Sequence, residues 1–342
     1  MGYPASTSRS INYLGIGKQG SKGTGVAPTV FLGYIGSVDL DAGQDGEDVR
    51  EAGTGPYVQR KMKVKHDPSG GSALAYRPKT VAQLVAWFLG VDTPGAAGGL
   101  FNHVATVDEA ARIWLTIEQC TGASGDIIER FVDCVLTSLT ISCDGNKDLM
   151  VKIGWMSLTP NWQATVTAQT YESGISGSTP GGPFRGHEAT FTIDGNVSAN
   201  VASWEVALAW KYDPDIHLSK VTRADTLKLE LTGSVKCKQL LDGNTVRDDY
   251  RKIVYGSAAG TVADKNFYGA GVFLVVYDNG LTVANLRQAT ISAPNIDWTV
   301  AKYTGLNPDG ETIYMEREGT IKKVAGTSFV TITTLTADAG AY

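Results

Sequence analysis

Hydrophobic and polar residues alternate along most of the chain with the period of two that is typical of β-strands with one buried face. Two such segments, 139–143 and 149–155, flank the turn Asp144-Gly145-Asn146 and predict a β-hairpin with a short loop. Similar alternation recurs at 113–117, 191–193, 204–210, 227–231, 296–300 and 329–335. We therefore predict a mainly β fold of two packed antiparallel sheets, as in a sandwich or open barrel.

One segment has helical spacing instead. Its apolar residues recur at intervals of three and four, at Val81, Leu84, Val85, Phe88 and Leu89. Thr80 and Gln83 have the spacing of a capping box, and Gly90 stands where a left-handed residue would end the helix. We predict one amphipathic α-helix over 80–90 that flanks the sheets, and a short helix or helical turn over 247–257.

The chain divides into three parts by composition. Residues 1–26 are rich in glycine, serine and lysine, which predicts a flexible N-terminal arm that cannot fold alone. Residues 27–300 form the predicted β-rich domain, in which the polar, glycine-punctuated stretch 41–55 is a long loop. Residues 301–342 are expected to be a C-terminal strand segment or an extension of the same domain.

Composition and charge narrow the class of protein. The 342 residues are 42% hydrophobic and include 40 glycines, which suits a packed core of short strands joined by turns. The net charge of −5 argues against a tight DNA binder, because such a protein needs a basic face. No run approaches ~18 apolar residues, and Met1 is followed by small and polar residues. We therefore expect a cytoplasmic product with no membrane partner.

The four cysteines show no paired spacing. We expect reduced, partly buried thiols at these positions, which are Cys120, Cys134, Cys143 and Cys237.

Residues 15–20 spell G-x-G-x-x-G, the glycine pattern of dinucleotide-binding proteins. That site needs a buried strand before the glycines and a helix after them, so that the pyrophosphate lies at the helix N-terminus. The stretch after Gly20 contains further glycines and Pro28, which cannot build a helix. A P-loop is excluded too, because Ser21 follows Gly20 where a lysine is required. We expect no cofactor.

The sequence evidence for other kinds of functional site is equally weak. The four histidines are far apart in sequence, no G-x-S-x-G occurs, and Gly43 breaks the calcium-loop pattern in the acidic stretch 39–48. We expect neither catalytic nor metal-binding residues. Five tryptophans could form a sugar-binding strip, namely Trp155, Trp162, Trp204, Trp210 and Trp298. Three of them, Trp155, Trp204 and Trp210, lie on the apolar phase of their strands, which favours the core or a subunit interface.

The order of segments resembles the tail tube proteins, or major tail proteins, of long-tailed bacteriophages. The similar segments are "GKQGSKGTGVAPTVFLGYIGS", "SGGSALAYRPKTVAQLVAWFLG", "IWLTIEQC", "FVDCVLTSLTISCDGNKDLMVKIGW", "GPFRGHEATFTIDG" and "ATISAPNIDW". Each motif is loose, and the resemblance lies in their order and spacing over about Gly15 to Leu335. It implies two packed β-sheets with one flanking helix, extended arms and loops.

The resemblance also implies a structural protein of the virion. Tail tube subunits form rings, typically of six, that pair at their sheet edges and stack into a hollow tube, in flexible and contractile tails alike. The tube is built around a tape-measure protein in the cytoplasm of the bacterial host, meets tail terminator and tail-tip proteins, and later conducts double-stranded DNA. An alternative is a β-sandwich baseplate, decoration or carbohydrate-binding protein of a virion.

Three groups of residues become candidates under this resemblance. Residues of the N-terminal arm are expected to contact the next ring, namely Gly15, Gly17, Lys18, Gly20 and Lys22. Acidic residues of the long loop have the same expected role, namely Asp45, Glu47 and Asp48. Polar positions of the central hairpin are expected to face the lumen or, as an equal alternative, the outer solvent, namely Thr140, Ser142, Asp148 and Lys152.

Overall fold

The computed structural model describes residues 11–32, 37–41, 44–49, 60–121, 127–162, 167–169, 171–172, 182–198, 200–213, 225–241, 243–262, 268–282, 286–305 and 312–342. The helices in these ranges are α1 (Pro78–Leu89) and α2 (Asn244–Tyr255), with one 3₁₀ turn at Gly186–Glu188. The strands are β1 (Ile11–Lys18), β2 (Val30–Phe31), β3 (Ser37–Asp41), β4 (Gln44–Val49), β5 (Arg60–His66), β6 (Ser69–Ala75), β7 (Gly90–Ala97), β8 (Leu100–Val107), β9 (Leu115–Thr121), β10 (Ile127–Asp144), β11 (Met150–Trp162), β12 (Ala189–Ile193), β13 (Asn196–Ser198), β14 (Val201–Tyr212), β15 (Lys228–Leu240), β16 (Tyr268–Asp278), β17 (Gln288–Thr304), β18 (Tyr314–Ile321) and β19 (Thr331–Thr336).

All these strands except β4 and β5 belong to one antiparallel, hydrogen-bonded sheet. We call its spine the eight-strand row, in the order β3-β6-β11-β10-β14-β15-β18-β17. Two long strands change partners along their length: β10 pairs first with β9 and then with β14, and β17 pairs first with β19 and then with β18. These changes add the branches β9-β1-β2, β16-β12-β13 and β19-β8-β7.

The predicted mainly β, antiparallel fold is confirmed, and so is the central hairpin, which is β10-β11. Two details differ. The strands of the two layers are joined by continuous hydrogen bonding, because β10 and β17 pass from one set of partners to another. The described residues also contain two α-helices where one was expected to flank the sheets, since the short segment after 243 completes three turns as α2.

The predicted helix is present as α1 but begins two residues earlier than the expected 80–90. Pro78 stands in its first turn, where the missing N–H of proline costs nothing. In place of the expected capping box, the carboxylate of Glu172 accepts hydrogen bonds from the backbone N–H groups of Lys79 at 3.0 Å and Thr80 at 2.9 Å. A distant segment therefore supplies the cap that the local sequence seemed to offer.

The layers face one another across one large apolar core, rich in aromatic side chains. Trp204 donates from Nε1 to the Tyr277 hydroxyl at 3.1 Å, and its ring centroid lies 5.7 Å from that of Phe273. At one end of the core, Trp210 donates to the carbonyl oxygen of Phe88 in α1 at 2.9 Å. These indole N–H groups keep a hydrogen-bond partner while the rings bury large apolar areas.

The strands repeat one topology twice. The six pairings that connect β2-β1-β9-β10-β11-β6-β3 recur in the same order as β13-β12-β16-β17-β18-β15-β14. A helix follows the corresponding strand in each, α1 after β6 and α2 after β15. Both helices end at a left-handed glycine, Gly90 with φ 110° and Gly256 with φ 75°. We call residues 11–162 unit A and residues 189–336 unit B.

The two units also share their irregularities. In unit A, β10 is bulged at 131–134 against β9 and at 136–138 against β11. In unit B, β17 is bulged at 293–296 against β16 and at 298–300 against β18. Each bulge in β17 lies the same number of residues further along the chain than the corresponding bulge in β10. Because bulges are specific features of a strand's register, their match shows that one structural unit is present twice.

Candidate functional site

One side of the eight-strand row is buried and the other is polar. Along β10, Leu139 and Ile141 are buried in the core, whereas Thr140 and Ser142 between them point to the other side. The same alternation continues across β11, β14, β15 and β18. We call this side the polar face, and its members used below are Thr140, Ser142, Lys152, Glu205, Lys236, Lys238, Lys302, Glu316 and Glu318.

Charges of opposite sign stand side by side on the polar face. The ammonium nitrogen of Lys236 lies 3.5 Å from the carboxylate of Glu318. Glu316 is shared between two lysines, with Lys302 at 3.0 Å and Lys238 at 3.4 Å. Hydrogen bonds from Lys302 and then Lys238 lower the pKa of Glu316, so this carboxylate keeps its charge in mild acid. Such exposed pairs add little stability, but their two carboxylates offset two of the three positive charges.

Three of the four lumen candidates share the polar face. Thr140 lies opposite Lys152 in the β10-β11 register, and Ser142 lies opposite Glu205 in the β10-β14 register. Asp148 is placed differently, in the turn after β10, where it forms an isolated bridge with Arg185. Asp148 therefore stands at the rim of the face. Their facing a lumen stays a prediction.

Gly15 and Gly17 lie in β1, a paired strand of the sheet, whereas the sequence suggested a flexible arm up to residue 26. β1 pairs with β9 along its length, and β2 folds back onto it. A Cβ at Gly15 would lie 2.6 Å from the Cβ of Pro28, and one at Gly17 would lie 2.8 Å from the carbonyl oxygen of Ala27. Close backbone approach, and not hinge motion, therefore accounts for these two glycines. Residues 1–10 of the expected arm lie outside the described residues.

The remaining arm candidates lie at the end of β1, which is Lys18, and in the turn that follows it, which contains Gly20 and Lys22. Lys18 is exposed, and a Cβ at Gly20 would meet no atom within 4 Å. Lys22 was expected to pair with a neighbouring ring, but its ammonium lies 3.1 Å from Asp225 of the same chain and 5.2 Å from the centre of the Trp114 ring. This lysine is thus engaged within its own subunit.

The stretch 41–55, expected to be a long loop, contains strand β4, which pairs with β5 as a two-stranded ribbon. Asp45 lies opposite Lys65 in register and Asp48 opposite Lys61, and the Asp48 carboxylate lies 3.6 Å from the Lys61 ammonium. Glu47, the third candidate, also lies in β4. Residues 42–43 and 50–59 lie outside the described part. Within that part the ribbon pairs with no other strand, and a lone pair of strands is marginally stable in water.

A buried ionic network in unit B escaped the sequence analysis. Arg317 is fully buried and contacts Asp194 at 3.1 Å, Asp249 at 3.2 Å and the Gln239 side-chain oxygen at 2.8 Å. Asp194 also accepts from Trp298 Nε1 at 3.0 Å. Burial raises the pKa of Asp194, although its hydrogen bonds and the arginine act in the opposite direction. The network joins the β12-β13 turn, α2, β15, β17 and β18, so its role is structural.

The tryptophan and cysteine interpretations are confirmed for the side chains that the structure describes. Trp155, Trp204 and Trp210 are buried, and so is Trp298, which leaves them unavailable as a sugar-binding strip; the side chain of Trp162 lies outside the described part. All four cysteines are buried thiols.

Other chemical features are limited. Burial raises the pKa of Cys134 and of Cys237 to about 12, so both thiols stay protonated and are poor nucleophiles. Among the described residues, no group of three or more His, Cys, Asp or Glu could hold a metal ion, and no helix is long and apolar enough to cross a membrane.

Two functional features were visible in the sequence but not recognised. The alternation of Lys236 with Lys238 and of Glu316 with Glu318 marks the polar face of two strands. The order strand, helix ending in glycine, long strands also occurs twice, around Gly90 and Gly256, and it marks the repeated unit. Neither pattern leads to the polar face or to the repeated unit unless the pairing of β15 with β18 is known.

Comparison with known proteins agrees with this architecture. A search of curated proteins finds no match to the chain. The family model described as "Phage tail tube protein" matches residues 10–239, which is about two thirds of the chain and includes unit A and about the first third of unit B. The family is a structural one and its members are components of the virion tail. This chain belongs to the phage tail tube protein family.

Proposed function

We propose that this chain forms stacked rings that make the hollow tube of a phage tail, with six tube units in each ring and the polar face lining the lumen. The observation that carries the proposal is the eight-strand row itself. Unit A contributes β3-β6-β11-β10 to it and unit B contributes β14-β15-β18-β17, joined by the β10-β14 pairing. A sheet that already continues from one unit to the next can continue around a ring, which leaves no exposed edge.

The charge pattern of the polar face suits a conduit for DNA. A wall that binds phosphates would hold the duplex, because each lysine that neutralises a phosphate adds to affinity. Here Lys236, Lys238 and Lys302 each have a carboxylate within 3.5 Å. Together, Glu205, Glu316 and Glu318 offset three of the four lysine charges on the polar face. The wall is therefore close to neutral, and double-stranded DNA passes without being retained.

We assign ring-to-ring contacts to two features: the β4-β5 ribbon with Asp45, Glu47 and Asp48, and the end of β1 with the turn after it, which carry Lys18 and Gly20. In register, the ribbon has acidic residues on one strand opposite lysines on the other, and the described pair of Asp48 and Lys61 is exposed to a neighbour. A docking partner would supply the packing that a two-stranded ribbon lacks on its own.

Further partners follow from a tube. The tape-measure protein would occupy the lumen during assembly in the host cytoplasm, and tail terminator and tail-tip proteins would cap the two ends. At each end of the tube, the capping protein would then bind the surface that contacts the next ring elsewhere in the tube. No membrane partner is needed for any of these contacts.

Electron microscopy of the purified protein tests the proposal. Concentrated protein, negatively stained, should show rings and straight tubes with a central hole. Particles of one subunit at every concentration, with no rings or tubes, would contradict it. Trp fluorescence that changes on adding sugars would favour the alternative of a carbohydrate-binding virion protein.

A further inference from the structure

Unit A and unit B meet edge to edge, and the corresponding edge of unit B carries no partner strand in the described residues. In unit A, the second half of β10 pairs with β14 from Ser138 to Asp144. The counterpart in β17 is the segment from Val300 to Thr304. One edge of this segment pairs with β18, its neighbour in the eight-strand row. On the other edge, the pairing of β17 with β16 ends at Trp298, before the segment begins.

The opposite end of the row is also open. β3 is the counterpart of β14, because β3 pairs with β6 as β14 pairs with β15. β14 has β10 on its second edge, whereas the described pairings of β3 are with β6 alone. Each chain thus presents one edge of the kind that β10 uses and one edge of the kind that β14 uses.

We propose that the second half of β17 pairs with β3 of a second copy of this chain, in the register by which β10 pairs with β14 within one chain. The inference rests on the proposed function, since it says which edges close the ring. The inference goes further than the proposed function, because it names the residues that pair between two copies.

The register follows from the repeat. Ser69 of β6 pairs with Asp41 of β3, and its counterpart Ser234 of β15 pairs with Ala207 of β14, so Asp41 corresponds to Ala207. The two serines correspond because each lies at the same end of a seven-residue pairing, with β11 or with β18. Ala207 lies opposite Thr140, whose counterpart is Lys302. Lys302 of one copy therefore lies opposite Asp41 of the next.

This register gives favourable partners. It sets a lysine against an aspartate, and two positions along it sets Thr304 against Asp39. Lys302 is 61% exposed in the single chain, so its side chain is accessible to a second copy. Directly opposed residues of opposite charge stabilise an antiparallel pair.

The two helices supply a second, independent observation. α1 is buried nearly all round, partly by Trp210 of the strand that joins β10. α2 holds the same place in unit B, yet Tyr250, Val254 and Tyr255 on it are only partly buried. Tyr250 stacks on Tyr303 of β17 with ring centroids 4.5 Å apart, directly beside the open edge. A second copy at that edge would cover α2 as unit B covers α1.

A contact between two different edges is heterologous, and repeating it closes a ring when the rotation from copy to copy adds up to a full turn. Because each chain brings two units, a ring of six units holds three chains. The resemblance to tail tube proteins implied six subunits, and the repeated unit replaces that number with three.

Paired cysteines test both the register and the ring size. Directly opposed residues of an antiparallel pair lie ~4.5–5.5 Å apart at Cα, within disulfide range. The variant K302C/D41C should, on mild oxidation and thiol blocking before denaturation, give covalent dimers and a covalent trimer and nothing larger. The matched control is K302C/L40C, since Leu40 neighbours Asp41 and has the opposite strand phase. The four native cysteines are buried and should give little background.

The outcomes are distinct. Equal cross-linking of both double variants would contradict the register, and a ladder that reaches six chains would contradict the ring of three. Charge exchange gives a second readout: K302E should reduce ring assembly, K302E/D41K should restore it, and K236E in the middle of the row should leave it unchanged. Failure of K302E/D41K to restore rings, with the fold intact by circular dichroism, would overturn the pairing. If the unmodified protein forms no rings at all, the proposed function itself fails.

Discussion

At Gly15 the backbone of β1 lies against the returning chain, with Pro28 and Phe31 within about 3 Å of any added Cβ. At Gly20, five residues later, the same test meets open space. One six-residue glycine pattern therefore contains positions with different physical requirements. The difference arises from where β2 lies, which no local sequence rule describes.

Substitution of these two glycines separates packing from chain reach. G15A should lower the free energy of unfolding by ~1–3 kcal/mol, because the new methyl group overpacks against proline. G20A should change it by less than ~0.5 kcal/mol, as an exposed substitution does. Urea unfolding followed by tryptophan fluorescence measures both. Equal stability of the two variants would show that β1 is not held against Pro28 as described.

The second prediction at this scale concerns Arg317. R317M removes the cation from a buried network and leaves Asp194 and Asp249 uncompensated, so stability at pH 7 should fall by ~3–5 kcal/mol. Burial already raises the pKa of Asp194, and loss of the arginine raises it further. The folded variant then binds a proton more tightly than the unfolded chain, so its stability should rise relative to the unmodified protein as the pH falls from 7 to 5.

Urea unfolding at the two pH values measures this. R185M is the control, because Arg185 is exposed and lies 3.9 Å from Asp148. It should lose less than ~1 kcal/mol at either pH. A loss in R317M that does not shrink on acidification would mean that the buried carboxylates are not the cause.

At the scale of elements, the two long strands decide the architecture. β10 and β17 each serve two partner strands in succession, and bulges at matching positions provide the bend between them. The β4-β5 ribbon is the opposite case, a pair of strands that leaves the sheet. Long strands such as β10 and β17 hold the subunit together, whereas the β4-β5 ribbon is available to contact another subunit.

Replacing residues 44–66 by a short glycine-serine linker tests the role of the ribbon. The subunit should keep its melting temperature within a few degrees and still form rings, because the ribbon pairs with no other strand in the described part of the chain. The rings should no longer stack into tubes. Electron micrographs with tubes of normal length would contradict the role of the ribbon in stacking.

At the scale of the whole molecule, the near-neutral polar face is the property that a conduit needs. The variant E205Q/E316Q/E318Q removes three carboxylates and leaves the lysines beside them uncompensated. Assembled variant protein should bind short duplex DNA at low ionic strength and release it as salt rises, since the binding is through phosphates. Co-sedimentation of labelled duplex with the assemblies measures this.

The opposite variant, K236Q/K238Q, leaves Lys302 in place for its proposed contact with Asp41; it is the control and should bind no DNA. Equal DNA binding by the two variants, or none by the first, would mean that the polar face is not accessible to a duplex in the assembly.

The amino-acid pattern was enough to predict the class of fold, the central hairpin, the approximate place of α1 and the buried state of Trp155, Trp204 and Trp210. These features follow from the spacing of apolar residues and from residue type. Both act locally, because the direction of side chains repeats along a strand or helix with a fixed period. The sequence also determined the family resemblance, through the order of its segments. Strands β1 and β4 and the Glu172 cap of α1 did not follow from the sequence, because each depends on a segment distant in sequence.

Only the tertiary structure decided which strands pair. That pairing turned an apparent arm into β1, placed Glu172 at the start of α1, and brought Lys236 and Glu318 together on the polar face. It also disclosed the two units, whose pairings and bulges correspond. Strand pairing is a long-range property that depends on the shared core of both layers, and for that reason local patterns could not supply it.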